Sequence, residues 1–214
     1  LGDVYKRQTS KLVPVMSLVY ILGGLLIIIL NANQVGYVFN LIVTSAFTTT
    51  AATGGFAGAT VWMALRYGVA RGVFSNEAGL GSSPIAHAAA KTNNPVKQGM
   101  ISMLEPLIDT LIVCTITAFV ILMSNQWVGE INGAVLTVAS FESLLANGKY
   151  IVIFGLILFS FSTIIGWSYY GEKCVEFLFG SGVIIYYRIL WIVIIPVAAS
   201  IAVSYTHLTL PTTN

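Results

Sequence analysis

The sequence predicts an all-α protein that is embedded in a membrane and crosses it several times. Hydrophobic residues make up 57% of its 214 residues and charged residues only 8%, about a third of the charged share of a soluble domain. No charged side chain occurs between Leu12 and Leu65, a stretch too long and too apolar for a soluble surface. The apolar pattern returns after a polar, glycine-rich run from Arg66 to Lys97.

Net charge and cysteine usage exclude several function classes. The net charge of +2 is too small to indicate nucleic-acid binding, so no nucleic-acid partner is expected. The two cysteines, Cys114 and Cys174, lie in or beside apolar segments and form no CxxC pattern. Neither a disulfide framework nor a zinc site is therefore predicted.

Both ends of the chain have the character of foreign sequence. The runs LGDVYKRQ at the start and VSYTHLTLPTTN at the end are typical of translated adapter sequence, and the second interrupts an apolar run. We expect residues 1–10 to be a non-native leader and residues 204–214 to be a non-native tail. Residues 11–203 are then expected to be an internal piece of a longer membrane protein.

Five apolar runs have the length needed to cross a hydrocarbon core of ~30 Å. They lie at residues 12–30, 35–65, 99–123, 150–171 and 183–203. The second run would measure roughly 46 Å as a straight helix, which is too long for one straight span. Three glycines fall between Thr53 and Gly58, and glycine disfavours a helix. We therefore predict two half-helices around a break near 53–58, with a single helix packed through small residues as the alternative.

Charged residues between the runs predict the orientation of the spans. The loop at about 66–98 carries four basic residues against Glu77 alone, whereas the loop after the third run carries two glutamates against one lysine. By the positive-inside rule, the 66–98 loop is cytoplasmic and the later loop is external. Arg188, early in the fifth run, is expected to reach back to the membrane interface.

The cytoplasmic loop contains the run RGVFSNEAGLGSSPIAH, which does not fit three common enzyme patterns. Its GLGSSP part is neither GxGxxG nor GxSxG, and no GK[ST] follows. Ser83 followed by Pro84 indicates a helix start, so we predict a short helix from Pro84 to Ala90. Glu77 and His87 are the proton-active groups at the centre of the loop, and we expect them to form a satisfied polar pair rather than a catalytic one.

Glu105 and Asp109 lie four residues apart in the third run and therefore share one helical face. Asp109 is roughly 15 Å inside the span when counted from Gly99. An ionisable group at that depth is costly unless it is paired, hydrated or protonated. With the hydroxyl of Thr110 beside it, Asp109 is predicted to serve an ion or substrate pathway. A purely structural pairing with another buried polar group is the alternative.

The fourth run carries hydroxyl groups on a shared face. Ser160, Thr163 and Trp167 are spaced by three and four residues, which aligns them along a helix. A hard cation such as sodium prefers oxygen donors, so these hydroxyls are predicted to coordinate an ion. Hydroxyls that only bond to carbonyls of their own helix or join helix packing are the alternative.

Two segments closely resemble the sodium:alanine symporter family, also described as alanine/glycine:cation symporters. They are Thr53–His87, which reads TGGFAGATVWMALRYGVARGVFSNEAGLGSSPIAH, and Phe161–Phe179, which reads FSTIIGWSYYGEKCVEFLF. The run RGVFSNEAGLGSSP is the most specific part of this resemblance. The likeness extends over about residues 11–200.

The resemblance implies a leucine-transporter type of fold with two inverted five-helix repeats, in which the five runs are the fifth to ninth spans. The broken second run then forms half of the substrate site. At the break, backbone carbonyls without helical hydrogen bonds and the ends of the two half-helices face a zwitterionic substrate at the middle of the membrane. The implied substrate-binding residues are Thr53, Gly54, Gly55, Phe56, Gly58 and Thr60. The expected ion-binding residues are Ser160, Thr163, Asp109 and Thr110.

The function implied is secondary active transport across the cell membrane, in which sodium entry drives uptake of alanine or glycine by alternating access. Sodium is the coupling ion and no other cofactor is expected. A symporter of the same fold that uses protons or another small solute, serine included, is the alternative within transport. An intramembrane enzyme built on Glu77, His87 or Asp109 is the alternative from another class, but no spacing supplies the positioned partner that a catalytic base needs.

Overall fold

The computed structural model describes residues 2–47, 68–70, 72–73, 75–77, 79–128, 131 and 133–200. Within these ranges the chain is helical and contains no strand, which confirms the predicted all-α class. The predicted break near 53–58 lies outside the described residues, so the second apolar run is described only as far as Phe47.

The first part of the chain contains α1 at Gly2–Leu30, a 3-10 turn at Ala32–Gln34 and α2 at Val35–Phe47. The middle part contains α3 at Ser82–His87, α4 at Pro95–Ser102, α5 at Leu104–Pro106, a π-helical stretch at Leu107–Cys114 and α6 at Thr115–Ser124. The last part contains α7 at Gly133–Leu144, α8 at Lys149–Phe179, a 3-10 turn at Ser181–Val183 and α9 at Ile184–Ser200.

Four helical runs in the described ranges are long and apolar enough to cross a membrane. They are Lys11–Leu30, Pro95–Ser124, Lys149–Phe179 and Ser181–Ser200. Their mean hydropathy lies between 2.1 and 2.6, and each overlaps one of the apolar runs seen in the sequence. The chain is therefore described as a multi-pass membrane protein.

The chain forms two compact units, of which the larger comprises Lys6–Ser162. Its core joins α1, α6, α7 and the start of α8 through Tyr20, Ile27, Val120, Phe141 and Val152. Glycines let α1 approach its neighbours closely, as small residues do between membrane helices. A Cβ atom at Gly23 would lie 2.8 Å from the Ile151 side chain, and one at Gly24 would collide with Ile116.

The third span is not the single α-helix expected over 99–123. It begins earlier, at Pro95, because the side chain of Asn94 caps it by accepting a hydrogen bond from the backbone N–H of Lys97 at 3.1 Å. Proline fits the first helical position, where no hydrogen bond is lost. Further along, Pro106 lacks the N–H that would bond to the carbonyl of Ser102, and the π-helical stretch follows directly.

The short helix of the 66–98 loop also differs from the prediction. It covers Ser82–His87 rather than Pro84–Ala90, and Gly81 precedes it with a φ of 82°. A backbone in this left-handed region suits glycine, which has no Cβ atom. The hydroxyl of Ser83 does not cap the helix and instead donates a hydrogen bond to Glu105.

Two further differences concern the last third of the chain. The loop predicted after the third span contains α7, whose twelve residues are too few for a span. The fourth span continues past the expected end at Gly171 to Phe179. Lys173, beyond the expected end, pairs with Glu176 at 2.7 Å on the same helix.

The second unit includes the chain from Thr163 onward. The C-terminal part of α8 and helix α9 form a hairpin that turns at Gly180, where φ is 81°. Tyr187 packs directly against Gly171 and stacks on Trp191 with ring centroids 6.0 Å apart. Gly171 leaves room for the Tyr187 hydroxyl where any side chain would collide with it.

Candidate functional site

The candidate site lies where the 66–98 loop meets the third span. The Ser75 hydroxyl donates a hydrogen bond of 2.6 Å to the Oδ2 atom of Asp109. The side-chain amide of Asn76 donates one of 3.2 Å to the hydroxyl oxygen of Thr110. Two consecutive loop residues therefore bond to two consecutive residues of a membrane span.

The local backbone explains how neighbouring residues of one helix can face the same loop. Asp109 and Thr110 both lie in the π-helical stretch Leu107–Cys114. In a π-helix the backbone hydrogen bonds join residues i and i+5, so each turn contains more residues than a turn of an α-helix. Consecutive side chains are therefore separated by a smaller angle around the helix axis. Short π-helical segments occur frequently at functional sites.

A second set of contacts joins the loop to the same span one turn earlier. The Ser83 hydroxyl donates a hydrogen bond of 3.2 Å to the Oε2 atom of Glu105. The Nε2 atom of His87 lies 3.7 Å from that same oxygen. The Nδ1 atom of His87 lies 2.7 Å from the side-chain amide nitrogen of Gln98.

These distances determine how the imidazole of His87 is oriented. An amide nitrogen can only donate, so Nδ1 accepts from Gln98 and the ring proton of a neutral His87 sits on Nε2, facing Glu105. His87 therefore pairs with Glu105 and Gln98. The polar pair that we predicted between His87 and Glu77 is replaced, within the described part of the chain, by these two partners.

A cavity of about 360 Å³ separates the loop from the span between these two sets of contacts. Its described lining residues are Asn76, Glu77, Gly79, Gly81, Ser83, Pro84, Ser102, Glu105 and Pro106. Glu77 has a φ of 54°, a left-handed backbone that is uncommon for residues other than glycine. Among these described lining residues two, Glu77 and Glu105, are acidic and none is basic.

The structure places the sequence-predicted ion-binding residues in different surroundings. Asp109 and Thr110 are half-buried beneath the loop, and their described hydrogen bonds come from Ser75 and Asn76. Ser160 and Thr163 lie on α8, in the first and second unit respectively, and both side chains are exposed. The predicted substrate-binding residues Thr53, Gly54, Gly55, Phe56, Gly58 and Thr60 lie outside the described residues.

Sequence reasoning missed three polar partners. Ser75 and Asn76 were not singled out, although they belong to the specific RGVFSNEAGLGSSP run, which was the only available signal. Arg188 was expected at the membrane interface, but it forms two hydrogen bonds with the nearly buried carboxylate of Glu172. Glu172 and Arg188 are 16 residues apart in the sequence, so no short-range sequence pattern predicts that they pair.

Comparison with known proteins agrees with the resemblance seen in the sequence. The profile of the sodium:alanine symporter family matches residues 4–209. The chain is 46% identical over 192 residues to the sodium/alanine symporter AgcS of Methanococcus maripaludis. It is 43% identical over 188 residues to the probable sodium/glutamine symporter GlnT of Bacillus subtilis, and 38% identical over 187 residues to that organism's putative sodium/proton-dependent alanine carrier protein YrbD.

These matches cover most of this chain but less than half of each relative. The aligned parts comprise 88%, 86% and 80% of the chain, in the order given above. They comprise 42%, 38% and 38% of the three relatives. The chain thus spans about two fifths of the length of the curated relatives that it matches.

Proposed function

This chain belongs to the sodium:alanine symporter family, and from that premise we propose that it is part of a transporter that couples sodium entry to uptake of a small neutral amino acid. Alanine or glycine is the proposed substrate, and the cell membrane the proposed location. The named relatives are symporters and carriers, which removes the intramembrane enzyme as an alternative.

The placement of Asp109 is the observation that carries this proposal. Asp109 lies in the middle part of the apolar run Pro95–Ser124, and an ionisable residue within a membrane span is a functional candidate because its charge is costly there. It sits beside the Thr110 hydroxyl in a π-helical stretch. A carboxylate and a hydroxyl are oxygen donors suited to a hard cation such as sodium.

The remaining parts of the proposed mechanism come from the other predicted residues. Ser160 and Thr163 on α8 are proposed as neutral oxygen donors for sodium. The segment 53–60 is proposed to bind the amino acid through half-helix ends and freed carbonyls, in a leucine-transporter type of fold. Alternating access then follows when spans rock around a fixed midplane site, with the 66–98 loop on the cytoplasmic side.

A proton-coupled symporter is the second candidate, because Asp109 can carry a proton as well as face a cation. One relative is named a putative sodium/proton-dependent alanine carrier. Another is named a probable sodium/glutamine symporter, so a larger neutral side chain belongs among the substrates to be tested.

Uptake by the full-length protein in proteoliposomes tests the proposal. We expect an inward sodium gradient to drive accumulation of radiolabelled L-alanine, and a potassium gradient of the same size to drive none. Unlabelled glycine should compete more strongly than glutamine. Uptake that follows a pH gradient without sodium would support proton coupling instead, and accumulation of neither alanine nor glycine would refute the proposed substrate class.

A further inference from the structure

We infer that Ser75 and Asn76 are positioning residues for the ion-binding pair, and that they act by fixing the Asp109 carboxylate and the Thr110 hydroxyl. The inference rests on the proposed ion-binding role of Asp109. It assigns a role in sodium affinity to a cytoplasmic loop that contributes no charge to the ion.

The two loop contacts share one register along the third span. Ser75 bonds to Asp109 and Asn76 bonds to Thr110, and both pairs are separated by 34 residues. Two hydrogen bonds in the same register fix both the position and the direction of the loop backbone relative to the span. Both span residues lie in the π-helical stretch, where neighbouring side chains are separated by a smaller angle than in an α-helix.

The chemistry of Ser75 suits a carboxylate that must remain charged. A hydroxyl has one proton to donate, and Ser75 gives it to Oδ2 of Asp109 at 2.6 Å. A hydrogen bond from a neutral donor stabilises the charge without cancelling it, whereas a lysine or arginine would neutralise it. The bond also limits the rotation of the carboxylate, and it leaves Oδ1 of Asp109 available as an oxygen donor.

Asn76 acts on Thr110 in the corresponding way. A threonine hydroxyl has two lone pairs and one proton. The Asn76 amide occupies one lone pair at 3.2 Å, which leaves the other to face a cation. The arrangement turns a hydroxyl that could rotate freely into one with a defined direction.

An independent anchor holds the loop in place, which allows positioning to be separated from docking. Ser83 and His87 contact Glu105 one turn away from Asp109. Removing the Ser83 hydroxyl therefore weakens docking of the loop without touching Asp109. Ser83→Ala is the matched comparator for Ser75→Ala, because each change deletes one hydroxyl that donates to a carboxylate on the same helix.

The test measures sodium dependence of L-alanine uptake by the full-length protein in proteoliposomes. We expect Ser75→Ala to raise the half-saturating sodium concentration by about three- to tenfold, since a hydrogen bond to a charged group is lost. The maximal rate at saturating sodium and the half-saturating alanine concentration should stay within about twofold of wild type. Ser75→Thr, which keeps the hydroxyl, should restore wild-type sodium dependence, and Ser83→Ala should shift it by less than about twofold.

A second measurement is independent of transport. Sodium that binds the folded protein raises its melting temperature, so purified wild type and Ser75→Thr should be stabilised by sodium chloride over choline chloride. Ser75→Ala should need more sodium for the same stabilisation. Asn76→Ala should shift in the same direction. If Ser75→Ala folds poorly, Ser75→Cys, with its weaker thiol donor, should give an intermediate shift.

Specific outcomes overturn the inference. If Ser75→Ala and Ser83→Ala raise the half-saturating sodium concentration equally, the loop acts through docking alone. If Ser75→Ala has the sodium dependence of wild type, Ser75 has no positioning role. The variant Asp109→Asn distinguishes a failure of the positioning role of Ser75 from a failure of the proposed function. A sodium shift in Asp109→Asn without one in Ser75→Ala refutes only the positioning role, whereas no shift in either refutes the ion site at Asp109 as well.

Discussion

Arg188 on α9 holds the carboxylate of Glu172 on α8 with two hydrogen bonds, from Nε to Oε2 at 2.7 Å and from Nη2 to Oε1 at 2.9 Å. Glu172 is only 5% exposed, so its charge is compensated by this pair rather than by solvent. A two-point guanidinium–carboxylate contact fixes geometry as well as charge. The pair therefore closes the hairpin formed by α8 and α9.

Removing one member of this pair should destabilise the protein. Glu172→Gln leaves Arg188, whose side chain is 38% exposed, without its charged partner and removes a two-point charge-assisted contact between α8 and α9. The double variant Glu172→Gln with Arg188→Gln should recover part of that loss. Thermal unfolding of the purified full-length protein measures both changes.

The matched control for this prediction is the exposed pair on the same helix. Lys173 and Glu176 lie 2.7 Å apart with side chains that are 45% and 36% exposed, so Lys173→Gln should cost less than about 1 kcal/mol. Equal losses of thermal stability in Glu172→Gln and Lys173→Gln would show that the Glu172–Arg188 pair does not hold the hairpin.

Close packing of α1 gives a second prediction. Gly24→Val should lower the melting temperature, because even a Cβ atom at this position collides with Ile116, and overpacking typically costs about 1–3 kcal/mol. Adding Ile116→Ala should restore part of the stability by removing the obstructing side chain. Gly36→Ala is the control, since a Cβ atom there has no neighbour within 4 Å. A Gly24→Val protein as stable as Gly36→Ala would contradict the close contact.

Local sequence patterns predicted the apolar spans but not the long-range polar contacts. The length of an apolar run can be read directly from the sequence, so four spans were predicted close to their observed positions. The partner of Asp109 lies 34 residues away in the chain, and no periodicity encodes that distance. Asp109 was identified as a functional candidate from the cost of its charge in a membrane and Thr110 from its neighbouring hydroxyl, whereas the loop residues that bond to them were not identified.

The differences at helix ends have the same origin. The apolar run indicated that the fourth span ends at about Gly171, yet the helix continues to Phe179 and contains Glu172, whose charge is paired with Arg188. Conversely, Pro106 interrupts the third span, whose apolar pattern suggested a continuous helix. Hydropathy alone predicts neither an ion-pair partner that is distant in the sequence nor the effect of the backbone N–H that proline lacks.

The start of α8 gives a prediction about pH. Glu142 accepts a hydrogen bond from the backbone N–H of Lys149 at 3.2 Å, and the Lys149 ammonium lies 3.3 Å away. The backbone hydrogen bond from Lys149 is the main cause that lowers the pKa of Glu142, and its side chain adds to the effect. This contact stabilises the fold above the ordinary glutamate pKa, and the contribution is lost as the pH falls through the lowered pKa.

Comparison of Glu142→Gln with wild type checks this dependence. Between about pH 7 and about pH 3, the melting temperature of Glu142→Gln should fall less than that of wild type, because the variant has no charge to lose at this position. The absolute difference should be small, since the carboxylate is exposed and screened. Identical pH profiles for the two proteins would exclude a stabilising role for the ionised Glu142.

The hydroxyl of Thr163 provides a prediction for the proposed ion site. Thr163→Val keeps the shape of the side chain and removes an oxygen donor, so it should raise the half-saturating sodium concentration for uptake while leaving the fold intact. Ser162→Ala is the neighbouring control, because the Ser162 hydroxyl is engaged by the carbonyl of Phe159 on its own helix at 2.9 Å. Unchanged sodium dependence in Thr163→Val, with normal expression, would remove α8 from the ion site.

Equilibrium binding of radiolabelled sodium to the purified full-length protein tests the central claim, that Asp109 binds the coupling ion, most directly. We predict saturable binding in wild type and at least about tenfold weaker binding in Asp109→Asn, because the variant loses the charged oxygen donor. Glu105→Gln, one turn away on the same helix, should bind sodium like wild type, since Glu105 lies outside the proposed Asp109–Thr110 pair and contacts Ser83 and His87. Sodium affinity that is unchanged in Asp109→Asn would contradict the account.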